Sequence, residues 1–127
     1  MANIVSALTP AAGSSTRTTS VNLPIIFYHH IRPVTTVMSP LAQGLSVTPS
    51  AFEKQLAYFK RNAYTTISLE SMSRALERNS PIAHNAFAIT FDDGYEDLYI
   101  YAWPLLKKYG VRATAFIIVN RVGTPDY

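Results

Sequence analysis

Cysteine is absent from the 127 residues, which excludes disulfides and thiolate metal sites and leaves the compartment open. Long apolar runs are missing too. No stretch approaches the roughly 20 apolar residues of a membrane-spanning helix. The opening Met1-Ala2-Asn3-Ile4-Val5-Ser6-Ala7-Leu8 has neither the basic start nor the sustained apolar core of a secretory signal. Charge is sparse: 15% of residues are charged, the formal net charge is +3, and the 11 basic residues are scattered, with only Lys60-Arg61 and Lys107-Lys108 adjacent. Such a distribution suits solvated helix faces and not a groove that follows phosphates, so no nucleic-acid partner is expected. Histidine is the last scarcity. The three present, His29, His30 and His84, all precede residue 92.

What the chain does contain is Thr90-Phe91-Asp92-Asp93-Gly94-Tyr95, two adjacent carboxylates placed where the apolar run Ala86-Phe87-Ala88-Ile89 stops. Neighbouring residues on a regular strand point to opposite faces, so two acids serving one site must lie just past a strand end, where glycine permits a turn. Carboxylates this close repel, and sites built on such pairs neutralise the charge with a metal or keep one acid protonated. An Asp-Asp-Gly sequence equally suits a plain turn or a helix N-cap.

Around this stretch the chain alternates strand and helix signals, the pattern of a parallel sheet wrapped by helices. Residues 1–22, rich in Ser, Thr and Ala over Thr9 to Ser20, are expected to be a flexible lead-in, with one domain over residues 23–127. Ile25 to Ile31 is a first strand, whose alternation sets His29 and His30 on opposite faces. Arg32 to Val47 reads as a long loop. A helix follows, started either by Thr48 with Pro49 at its first position or by Ser50 with Glu53, and its stripe Phe52, Leu56 and Phe59 is core packing. Thr65 to Leu69 is a short strand, and Ser68 caps a helix burying Leu69, Met72 and Leu76. Glu96 to Tyr109 has helical spacing, with Gly110 as its stop and Pro104 forcing a kink or fresh start near Trp103. Val111 to Val119 is the last strand.

Thr90 to Tyr95 resembles the first motif of the polysaccharide deacetylases, the NodB-homology family or carbohydrate esterase family 4. The likeness extends from about Leu23 onward. Pro24-Ile25-Ile26-Phe27-Tyr28-His29-His30-Ile31 resembles the Tyr-His-x-Ile strand of the branch that includes poly-N-acetylglucosamine deacetylases. Leu45-Ser46-Val47-Thr48-Pro49, Phe52-Glu53-Lys54-Gln55-Leu56, Thr66-Ile67-Ser68-Leu69-Glu70 and Tyr101 to Gly110 follow in that branch's order. Ala113-Thr114-Ala115-Phe116-Ile117 matches the next strand, with Ala115 where a larger aromatic is common.

The resemblance implies an α/β fold, the N-terminal part of a distorted (β/α) barrel, that hydrolyses N-acetyl groups of amino-sugar polymers with a divalent metal, commonly zinc. It assigns Asp92 as general base and Asp93 as metal ligand, and makes His29 a candidate substrate-binding residue. Two histidine ligands and an acid histidine would follow later, and none stands after Asp92 here. A catalytic zinc usually has three protein ligands and one open position, so a single carboxylate would hold it weakly. At 127 residues the chain is about half of a typical barrel of roughly 250. The expectation is therefore half a site, inactive by itself, with unpaired sheet edges and with two histidines encoded onward if the reading frame continues. Family members often act outside the cytoplasm, the one reason to expect an extracytoplasmic place.

Three rivals compete. A phosphoaspartate receiver or phosphatase also sets acids at strand ends, but the Lys and Thr that its chemistry needs are not at the next strand end. A non-catalytic or degenerate fragment that binds glycan or a partner is compatible with the missing histidines. A glycosidase fits least, since adjacent acids seldom flank a bond from opposite sides.

Overall fold

The computed structural model describes residues 23–127 and the backbone of residues 3–5. The lead-in expected over residues 1–22 lies outside the described residues, apart from a short strand β1 (Asn3–Val5) that pairs antiparallel with β2 (Ile25–Tyr28).

The centre of the fold is β6 (Ala86–Phe91), all six of whose residues are buried. Burial on both faces explains why this strand reads as a continuous apolar run. One edge of β6 pairs in parallel with β2, in a register that sets Ile25 against Ala88 and Tyr28 against Phe91. Its other edge carries β5 (Thr65–Thr66) at the N-terminal half and β7 (Thr114–Ala115) at the C-terminal half, both parallel. The amides of Ile67 and Phe116 continue these pairings onto the Phe87 and Phe91 carbonyls at 2.9 and 2.8 Å. The result is a five-stranded, mostly parallel open sheet with helices against it, part of a distorted (β/α) barrel.

The first strand is interrupted. It bends at His29, and β3 (His30–Ile31) leaves the main sheet to pair with β4 (Ser46–Val47). The His30 amide bonds the Leu45 carbonyl at 3.2 Å and the Arg32 amide bonds Val47 at 3.0 Å. The segment read as a loop over Arg32 to Val47 thus contains β4 and also a short helix α1 (Pro40–Gly44). Ser39 caps α1 through Oγ, which accepts from the Ala42 amide at 3.2 Å, and Pro40 stands at its start.

Helix α2 (Pro49–Arg61) takes the first of its two expected starts: Thr48 Oγ1 accepts from the Ala51 amide at 3.2 Å and Pro49 opens the helix. Such a cap stabilises by about 1 kcal/mol. Phe52 and Leu56 are wholly buried, and the Phe52 ring meets Tyr28 at 5.1 Å and Phe91 at 5.9 Å between centroids. Truncating such a ring to alanine costs about 3–5 kcal/mol, which makes Phe52 the principal bolt between α2 and the sheet.

Two expectations fail. Helix α3 (Leu69–Glu77), capped by Ser68 as anticipated, buries no residue fully, and Leu76 is 54% exposed. The last strand is shorter than Val111 to Val119: only Thr114–Ala115 is regular, and Phe116, Ile117 and Ile118 remain substantially exposed. In both cases the apolar pattern is present, but no layer covers it among the described residues.

The helix after the acid pair changes pitch. A π-helical turn at Leu98–Ala102 gives way to α4 (Trp103–Tyr109). Pro104 has no N–H to offer the carbonyl four residues back; the chain widens into the π-helical turn before it, and α4 makes the expected fresh start at Trp103. Gly110 ends α4 with φ of 65°, in the left-handed region that glycine enters without steric cost.

Candidate active site

Asp92 and Asp93 stand immediately past the C-terminal end of β6. The Asp92 amide makes the last ladder bond, to the Tyr28 carbonyl at 2.9 Å, so the base of the turn is fixed by the sheet. The chain then departs from regular geometry. Asp93 has φ of 72° and Gly94 has φ of 77°. Left-handed backbone costs a residue with a side chain about 1–2 kcal/mol, and strain of this kind concentrates at functional sites. Both carboxylates are half-buried.

Gly94 allows a close approach from the neighbouring strand: a Cβ there would fall 2.7 Å from Ile117 Cδ1 and 3.2 Å from Ile117 Cα. The Ile118 amide reaches the Asp93 carbonyl at 3.4 Å. The acid turn is thus gripped between the exits of β2 and β7.

Beyond the turn, Tyr95 lies on the imidazole of His30, with ring centroids 3.8 Å apart and planes 27° from parallel. Asp97 then returns to β3 with both oxygens engaged. Oδ2 is 2.6 Å from His30 Nδ1, and Oδ1 accepts from the Ile31 amide at 3.2 Å. An ionised carboxylate has no proton to give, so Nδ1 carries the hydrogen in this pair. Tyr127 leans on Tyr95 with ring centroids 4.7 Å apart. The Tyr95 hydroxyl keeps its proton well above the ordinary tyrosine range, chiefly through its hydrogen bond with Tyr127, with burial and the negative charge of Asp93 adding to the effect.

His29 sits at the bend that ends β2. Tyr28 pairs with Phe91, so His29 and Asp92 are the residues that follow the last paired positions of these two neighbouring strands. Its ring meets Phe27 edge-on at 6.0 Å between centroids. His30, Tyr95, Asp97 and Tyr127 were not picked out by the sequence. The available signal was a third acid, Asp97, four residues after Asp93, together with the doubled histidine His29-His30.

No group of three or more His, Cys, Asp or Glu able to hold a metal occurs among the described residues. Asp93 fits as one oxygen ligand, but these residues do not make up the three-ligand set of a catalytic zinc. A cavity of about 450 Å³ between the end of α2, β5 and Gly110 to Arg112 lies toward the N-terminal end of β6, away from the acids, and has no part in the site.

The comparisons with known proteins agree with this fold. The sequence model of the family described as polysaccharide deacetylase matches residues 79–126, which include the acid turn. YxkH of Bacillus subtilis (strain 168) is 36% identical over 101 residues, covering 80% of this chain and 33% of YxkH. The poly-beta-1,6-N-acetyl-D-glucosamine N-deacetylase of Escherichia coli (strain K12) is 31% identical over 81 residues, 64% of this chain and 12% of that protein. Among solved structures, the Streptococcus pyogenes deacetylase PplD in complex with acetate superposes with a TM-score of 0.70 at 37% identity, covering 85% of this chain and 48% of PplD. The chain thus spans about a third or less of these curated relatives and about half of PplD. Residues 79–126 match the polysaccharide deacetylase family model, and the chain shares its fold with the corresponding part of these deacetylases. Among the described residues no helix is long and apolar enough to cross a membrane.

Proposed function

We propose that this chain supplies the base and one metal ligand of a metal-dependent hydrolase that removes N-acetyl groups from amino-sugar polymers, and that it is inactive by itself. The observation that carries the reading is the strained Asp92-Asp93-Gly94 turn at the tip of the buried central strand. Asp92, held to β2 through its amide, is the general base and accepts a proton from the attacking water. Asp93 offers an oxygen to a divalent ion, zinc by family analogy, which would polarise the acetyl carbonyl when bound. His29, which follows the last β2 residue paired with β6, contacts the sugar polymer. Imidazole ligands come from residues beyond those present here. A wall or biofilm glycan as substrate places the reaction outside the cytoplasm.

The test is acetate release from chitooligosaccharides and from poly-N-acetylglucosamine with zinc present. The chain alone is expected to release none. Release that disappears in Asp92→Asn would show instead that the chain completes its own site. The second reading, a non-catalytic glycan-binding fragment, draws on the absence of a three-ligand group among the described residues. Glycan binding undiminished in both Asp92→Asn and Asp93→Ala would favour it.

A further inference from the structure

We infer that Asp97 is a positioning residue for the Asp92-Asp93-Gly94 turn, acting through His30 and Tyr95. Its value as such rests on the assignment of Asp93 as a ligand, but its structural effect does not. The sheet fixes the chain before Asp93 through the Asp92 amide. On the far side of the turn from β2, the Ile118 amide and Ile117 press on Asp93 and Gly94; after Gly94 no ladder continues, and the next side chain engaged is Tyr95. That ring is held by the His30 imidazole 3.8 Å away. The imidazole is held in turn by Asp97 Oδ2 at 2.6 Å, while Oδ1 ties the same carboxylate to the Ile31 amide. His30 is buried and the Asp97 side chain is only 14% exposed, so water competes little for these bonds. Asp97 therefore joins β3 to the first turn of the following helix and closes a loop around two successive left-handed residues. Groups behind a ligand commonly fix its orientation in this way.

The experiment is nuclear magnetic resonance on the 127-residue chain, comparing wild type, Asp97→Asn and Asp97→Ala. In wild type, nitrogen-15 shifts should report His30 with its hydrogen on Nδ1. Asp97→Asn presents an amide N–H in place of an oxygen, so the hydrogen is expected to move to Nε2 while the turn persists. Asp97→Ala should broaden or shift the Asp93, Gly94 and Tyr95 amides and leave Ile89 and Thr90 unchanged. Unchanged Asp93 and Gly94 resonances in a folded Asp97→Ala protein overturn the proposal. Should that variant not fold, His30→Leu decides. It keeps the bond from Asp97 to the Ile31 amide but removes the imidazole, and must loosen the same three amides, whereas an intact turn overturns the proposal. None of these readouts needs a metal, so failure here is separate from failure of the ligand assignment, which metal binding reports.

Discussion

Gly94 and Ile117 are packed so tightly that a methyl group at position 94 would meet Ile117 Cα, not merely the movable end of its side chain. Gly94→Ala should therefore suffer twice, from left-handed backbone and from overpacking. A loss of roughly 2–4 kcal/mol is expected in urea unfolding. A loss below about 0.5 kcal/mol, the range of ordinary surface changes, would mean that the β7 exit does not press on the turn.

Asp93 is the opposite case, a side chain kept where glycine would be easier. Asp93→Gly relieves the left-handed strain and offsets it with a more flexible unfolded chain, so stability should be unchanged or higher by up to about 1 kcal/mol. Destabilisation beyond about 1 kcal/mol, measured by the same urea unfolding, would show that the carboxylate is a structural anchor and not a group retained for its chemistry.

Tyr28 should make the fold alkali-sensitive. Its hydroxyl donates to Gln55 Oε1 at 2.6 Å, and burial pushes its ionisation well above the ordinary tyrosine range. The folded state thus holds this proton more tightly than the unfolded chain. The contribution is fully present below the unfolded value of about 10 and is lost as pH rises beyond it. Denaturant unfolding between neutral and strongly alkaline pH should show this decline. Tyr28→Phe should flatten the part of the slope that Tyr28 carries and cost about 1 kcal/mol at neutral pH for the lost hydrogen bond. An unchanged slope in Tyr28→Phe would contradict the assignment.

Local signals were legible where a residue's own chemistry decides the outcome. Thr48 before Pro49, Ser68 and Gly110 end or begin helices because a side-chain oxygen or a left-handed φ satisfies the terminus within a few residues. The position of Asp92 and Asp93 was legible for the same reason, since a run buried on both faces can only end where polar residues start. Long-range pairing was not. The bend at His29 depends on β3 meeting Ser46–Val47, and it carries His30 into a buried network that simple alternation along one strand does not reveal. Leu76 and Phe116 to Ile118 have apolar patterns, but burial needs a partner layer, which periodicity within one element does not supply.

The central claim is that Asp93 binds the metal and Asp92 does not. Paramagnetic manganese added to the isotope-labelled chain tests it most directly, because the ion broadens the amides beside its ligands. Weak, rapidly exchanging broadening centred on Asp93 and Gly94 is expected in wild type, since one carboxylate without imidazole partners binds poorly. It should persist in Asp92→Asn and vanish in Asp93→Ala. Broadening that survives Asp93→Ala, or that is lost equally in both variants, would contradict the division of roles between the two acids.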